Sequence, residues 1–314
     1  VEPRYHDVVV ATYGRGIYVL RNISAFEQTG DITPSAAASK LFAPRAGFRQ
    51  ARSGTAEFEF SLASAPESPL KFQIHDSSGA VVRTFEVAAH AGLNRAAWDL
   101  RYDSPNGVAL RTTPADNPHI WEEPRFRGQD TRPVTHWGIE GAQRAGPLAA
   151  PGAYTVSVNL GGQDLSQPFK VLKDPAIAAS EADLVASTKM QVRVRDDMNQ
   201  AVAMINRLEV LRKATQDPAY GKRLLDVELQ LLSRSSMQSD DKYYPEQYKV
   251  YMNLIWFNGE IGTGAGDVAG GADHRPTDVS YTILDGIEKQ LAAAKAAFDQ
   301  VTASRDPSAG NRNQ

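Results

Sequence analysis

Cysteine is absent from this chain of 314 residues, which removes disulfides, thiolate metal sites and a cysteine nucleophile together. A surplus of one charge is absent too: 34 Lys and Arg stand against 37 Asp and Glu, with the two signs interspersed. No basic stripe exists to neutralise phosphates, so nucleic acid is not an expected partner. No apolar run approaches the ~20 residues of a membrane helix; the longest, Val250 to Phe257, has Asn253 inside it. Histidine is scarce, with six in all, and no Gly-x-Ser-x-Gly elbow accompanies the abundant Ser and Asp. The sequence opens on Val1 without a start methionine or a signal-peptide pattern, which is the expectation for a mature or cleaved product.

What is present is pattern. Hydrophobic residues make up 42% of the chain, enough for two domains with proper cores. The stretch Gly92 to Tyr102 places Ala96, Trp98, Leu100 and Tyr102 on one face of an extended chain and Arg95, Ala97, Asp99 and Arg101 on the other. It predicts a half-buried strand with Trp98 as a core anchor. Before it, Phe58, Phe60 and Leu62 alternate, as do Leu70, Phe72 and Ile74. After it, Pro151-Gly152 starts Tyr154, Val156, Val158 and Leu160 on one face, and Gly161-Gly162 turns the chain into Leu165 to Val171. At the N-terminus, Asp7 to Tyr13 and Gly16 to Leu20 are β-branched and aromatic runs around Gly14-Arg15, the signature of a hairpin. A two-stranded hairpin is marginal in water, so its remaining strands should come from elsewhere.

After Asp174-Pro175 the period becomes about 3.6. Ser180 and Asp183 form a capping-box pattern that opens a helix to about Gln216, with Val194, Met198, Val202, Ile205 and Leu208 as its apolar stripe. Further helices are expected over about 220–235 and 245–257 and, after a glycine-rich loop, from Pro276-Thr277 onward. The expected fold is therefore α+β and multidomain: an antiparallel immunoglobulin/fibronectin-like β-sandwich followed by an antiparallel helical bundle, preceded by the hairpin. The boundaries read 1–40 for hairpin and linker, 41–173 for the sandwich with a long insertion at about 104–148, 174–305 for four helices and 306–314 for a tail.

Candidate site residues crowd the insertion, where Trp121, Arg125, Arg127, His136 and Trp137 form an aromatic and basic set suited to a binding surface. Glu122 and Glu123 lie beside them, but adjacent residues of an extended chain point opposite ways and do not make the carboxylate pair of glycoside hydrolysis. Glu260, Asp267, Asp273 and His274 in the glycine-rich loop lack EF-hand order, and no phosphate-loop pattern follows. No catalytic residue, cofactor or metal is expected.

The motif His6-Asp-Val-Val-Val-Ala-Thr-Tyr-Gly-Arg-Gly-Ile-Tyr-Val-Leu20, then Leu41-Phe-Ala-Pro44, Gly92 to Tyr102 and Pro151-Gly-Ala-Tyr-Thr-Val156, resembles the C-terminal region of bacterial sortilin-like, BNR-repeat β-propeller proteins, often labelled glycosyl hydrolases. The resemblance implies a hairpin from the end of a propeller, a small β-sandwich and a closing helical region, in a periplasmic or extracellular setting. The propeller and its Ser-x-Asp-x-Gly-x-Thr-Trp boxes are absent from this sequence, so no hydrolytic residue carries over. The functional expectation is a non-catalytic interaction or scaffolding module, an accessory subunit partnered by another protein or a larger complex. The alternatives are the C-terminal part of a glycosyl hydrolase whose propeller is missing and a carbohydrate-binding module with a glycan as ligand.

Overall fold

The computed structural model describes residues 6–29, 39–49, 54–136, 138–238, 246–261 and 273–303. They fall into two compact units, one comprising Val1–Asp103 with Leu148–Val185, the other Ser104–Pro147 with Ala186–Gln314. The segment expected as an insertion in the first unit thus belongs with the helices.

The first unit opens with β1 (Val8–Thr12) and β2 (Gly16–Leu20), paired antiparallel from Val8↔Leu20 to Thr12↔Gly16. Tyr13, Gly14 and Arg15 make the turn, with Gly14 at φ 76° where a side chain would be strained. A short helix, α1 (Ser24–Thr29), follows within the expected linker. Next come β3 (Lys40–Leu41), β4 (Gly47–Arg49), β5 (Ala56–Leu62), β6 (Leu70–His75), β7 (Val81–Val87) and β8 (Gly92–Trp98). The unit's last strands are β9 (Gly152–Leu160) and β10 (Gln163–Lys173), joined by Gly161 and Gly162, both at positive φ as a two-residue hairpin turn requires. The strands form sheets of order β1-β2, β4-β10-β9-β6-β7 and β3-β5-β8.

The alternating apolar positions of β5, β6, β8, β9 and β10 meet in one cluster, with Phe58, Phe60, Phe72, Ile74, Trp98, Val156 and Leu160 all at 1% exposure or less. Trp98 sits 5.5 Å from the ring of Tyr154 and 6.1 Å from that of Phe169. Its strand ends sooner than the alternation suggests. Leu100 is buried at φ 56°, a left-handed bend, and Trp98 Nε1 donates to Arg101 O across it at 2.7 Å. The guanidinium of Arg49, fully buried, is satisfied by main-chain carbonyls, among them that of Ala149 at 3.0 Å.

In the second unit, the described residues of 104–147 carry a 3₁₀ turn (Ile120–Glu122), the bridge Leu110↔Arg132 and α2 (Glu140–Arg144). The long helices are α3 (Glu181–Ala214), which begins at the capping box, α4 (Pro218–Leu231), α6 (Val250–Glu260) and α7 (Asp278–Ala303), with α5 (Arg234–Met237) a single turn. Ser180 and Asp183 cap each other reciprocally: Ser180 N donates to Asp183 Oδ2 and Asp183 N to Ser180 Oγ. The α3 stripe from Val194 to Leu208 is fully buried, and its cluster includes Val108, Leu110, Val134, Ile139 and Ala142 from the 104–147 segment.

This arrangement corrects the expected fold class. The chain is mixed α/β, with ten strands in three sheets, one of them curled as a half-barrel, and seven helices among the described residues. An immunoglobulin/fibronectin-like sandwich is antiparallel throughout, whereas β4 joins β10 in parallel through Gly47↔Val171. A period of two reports which face of a strand is buried, and is silent about pairing between distant residues. The helices likewise do not form a self-contained bundle, because irregular chain from 104–147 supplies part of their core. None of the described helices is long and apolar enough to cross a membrane.

Candidate interaction surface

The hairpin β1–β2 carries a run of exposed apolar side chains. Val9, Ile17, Tyr18, Val19 and Leu20 are each more than half exposed, and Tyr13 at its tip is fully so. Among the described residues it pairs with no third strand. Polar contacts at its base hold it to the rest of its unit: Asn22 N donates to Asp7 Oδ1 at 2.9 Å, Asn22 Nδ2 to Glu57 Oε2 at 3.1 Å, and Arg95 Nη2 to the Arg21 carbonyl at 3.0 Å. His6 Nδ1 lies 2.7 Å from Glu27 Oε2. The mount is fixed while the blade is bare.

The expected set in the insertion is divided by the structure. Trp121 is half-buried, its Nε1 donating to Thr113 Oγ1 at 3.0 Å, with the buried Arg132 guanidinium 5.8 Å from its ring. Arg125 Nε donates to Glu123 Oε2 at 2.9 Å and its guanidinium covers the Phe126 ring at 4.6 Å. Arg127 Nη2 donates to the Glu122 carbonyl at 2.8 Å. These contacts are local, and Glu122 is itself paired to His119 Nδ1 at 3.0 Å. His136 keeps other company: its Nε2 is 3.1 Å from Tyr248 Oη, and its ring stands perpendicular to those of Tyr248 and Trp256 at 5.7 and 6.0 Å. Trp137 lies outside the described residues, as does most of the glycine-rich loop with Asp267.

Two buried carboxyls with shifted values lie elsewhere in the second unit. Glu209 on α3 and Glu228 on α4 are 1% and 0% exposed, and Arg212 Nη1 bridges them at 2.9 and 2.5 Å. Burial, reinforced by the neighbouring Glu209 charge, pushes the Glu228 carboxyl up to about 8. Burial pushes Glu209 the same way, but hydrogen bonds from the Thr112 hydroxyl and from the amides of Arg111 and Thr112 outweigh it and hold Glu209 below the usual carboxylate range. One acid is ionised and the other protonated around a single guanidinium, which ties the 104–147 segment to α3 and α4. A buried pair of this kind is tied up in structure, and both carboxyls are closed to solvent. The readable signal was an acid within an apolar face, since Glu228 stands at helical spacing from Leu224, Val227 and Leu231. Tyr248 and Trp256 left no such signal, because an aromatic within the helix expected over about 245–257 reads as core, although Tyr248 in fact precedes α6.

No protein-family model matches this chain, and no curated protein matches it.

Proposed function

We propose that this chain is a protein-interaction module that docks through the β1–β2 hairpin onto the β-sheet of a partner, as a subunit of a larger assembly. The supporting observation is the hairpin itself: ten strand residues, nearly all exposed and mostly apolar, on a polar mount. Isolated two-stranded sheets are marginal, and unpaired strand edges invite addition of further strands. The likeness of His6 to Leu20 to sortilin-like proteins supports an extracytoplasmic setting for the partner.

The test is hydrogen exchange on the β1 and β2 amides in the isolated chain and in the complex recovered through photocrosslinkers at Val9 and Tyr18. Slowing confined to the complex, together with crosslinks absent from a control crosslinker at Lys295, supports docking. Equal exchange in both states, or crosslinking no different from the control, overturns it. A second reading, carbohydrate binding, is favoured by the three rings of His136, Tyr248 and Trp256, which lie within 6.4 Å of one another. It predicts glycan-array signals that Tyr248→Ala removes.

A further inference from the structure

The register of β6 against β9 pairs His75 with Thr155 and sets Ser157 diagonally across from it. His75 Nε2 lies 2.9 Å from Ser157 Oγ, and His75 Nδ1 lies 3.3 Å from the Gly79 carbonyl. A carbonyl oxygen only accepts, so in the neutral ring Nδ1 carries the hydrogen and Nε2 holds the lone pair. Ser157 therefore donates its hydroxyl hydrogen to His75. This is the order nucleophile, base, orienting group by which activated serines are recognised on unrelated folds.

The orienting group is itself held. Asp76 Oδ1 accepts from Ser78 N at 2.8 Å, Ser78 Oγ at 2.6 Å and Ala80 N at 3.2 Å, fixing the β6–β7 turn that carries Gly79 at φ 86°. Burial pushes the Asp76 carboxyl up, but the Ser78 hydroxyl and the turn amides outweigh it and hold it below its ordinary value. The pair opens onto a recess of about 440 Å³ lined also by Tyr154, Thr155, Ser166 and Pro168. Ser166 is the register partner of Ser157 on β10, and both side chains share the solvent-facing side of the sheet.

We infer that Ser157 and His75 form a nucleophile–base pair that transfers acyl groups from small, accessible carboxylic esters. Ser157 Oγ bonds to the ester carbonyl carbon as its proton passes to His75 Nε2. The tetrahedral adduct collapses by breaking the carbon–oxygen bond to the alcohol, which departs with the proton from Nε2. Water then adds to the acyl carbon, giving a proton to Nε2. Collapse of that adduct releases the carboxylic acid and returns the proton to Ser157 Oγ. The Ser166 hydroxyl, on the register partner of Ser157, would donate to the oxyanion, and Asp76 is a positioning residue. This activity is independent of the docking hairpin.

The experiment uses the whole chain with p-nitrophenyl acetate, following nitrophenolate release and locating the acetyl group by peptide mass mapping. Acetylation at Ser157 is expected, with turnover lost in Ser157→Ala and lowered about 100-fold in His75→Gln, which can hold a hydrogen bond but cannot act as the base. Ser166→Ala should lower turnover by about 10-fold or more. Ser157→Ala removes one half-buried hydroxyl, so it keeps the test valid even where His75→Gln fails to fold. Acetyl groups only on lysine or histidine, or wild-type turnover in Ser157→Ala, would overturn the assignment.

Discussion

The hairpins β1–β2 and β9–β10 are built from the same materials and end in opposite conditions. Both are antiparallel, both use β-branched and aromatic residues, and both turn on glycines at positive φ. In β9–β10, one face lies in the aromatic core, and each strand has a further neighbour, β6 for β9 and β4 for β10. In β1–β2 both faces are in water. A hairpin gains stability from what its faces and edges meet, so β9–β10 is a structural element of its unit, whereas β1–β2 is exposed on both faces and, among the described residues, pairs with no third strand.

The largest break in this contrast should come from Trp98→Ala, which empties the space beside Tyr154 and Phe169. A loss of about 3–5 kcal/mol is expected in urea unfolding of the first unit followed by circular dichroism. The same kind of substitution placed in each hairpin sharpens the point. Val156→Ser, at a fully buried position, should cost about 2–4 kcal/mol through lost apolar burial and a hydroxyl without water. Val19→Ser should change the stability of the isolated chain by less than about 0.5 kcal/mol while abolishing crosslinking to the partner. A large destabilisation by Val19→Ser would show that the first hairpin is already covered.

Between these extremes lies a test in the second unit, where burial acts on charge. The folded-state value of Glu228, about 8, stands above its ordinary 4.5, so between those values the folded chain binds more protons than the unfolded one. Stability contributed by the protonated carboxyl is full below about pH 4.5 and is lost as pH rises through about 8. Glu209 acts in the opposite sense: its depressed value gives stability above the ordinary carboxylate range that is lost on acidification below it. Asp197 is pushed up to about 6 by burial and then by the Glu288 charge, so the window from pH 6 to 8 isolates Glu228. Glu228→Gln should flatten the fall in melting temperature across that window, a difference on the order of 2 kcal/mol. The smallest effect on the buried side should be Tyr154→Phe, which removes the hydroxyl donating to the Ala150 carbonyl at 2.9 Å and should cost about 1 kcal/mol by the same unfolding measurement.

Much of the local structure was legible. The expected helix from Ser180 to about Gln216 is α3, over Glu181–Ala214, because its stripe and capping box are local signals. Trp98 was legible as an anchor for the same reason. The fold class was not: the parallel β4–β10 pair and the sharing of the helical core with residues 108–142 depend on contacts between distant residues. In the candidate surface, the aromatic and basic residues of the insertion were visible, but their division was not, since His136 is drawn to Tyr248 and Trp256, more than a hundred positions away.

By itself the sequence determined the periods, the turns and the exclusions: no thiol chemistry, no basic stripe, no long apolar run, and an N-terminal hairpin with more apolar surface than two strands can cover. Only the tertiary structure decided which strands share a sheet, that Glu209 and Glu228 close on one arginine, and that Ser157 meets His75 across two strands. The physical reason is that periodicity reports the side on which a residue is buried, whereas hydrogen bonding and charge act over a few ångströms between groups that only folding brings that close.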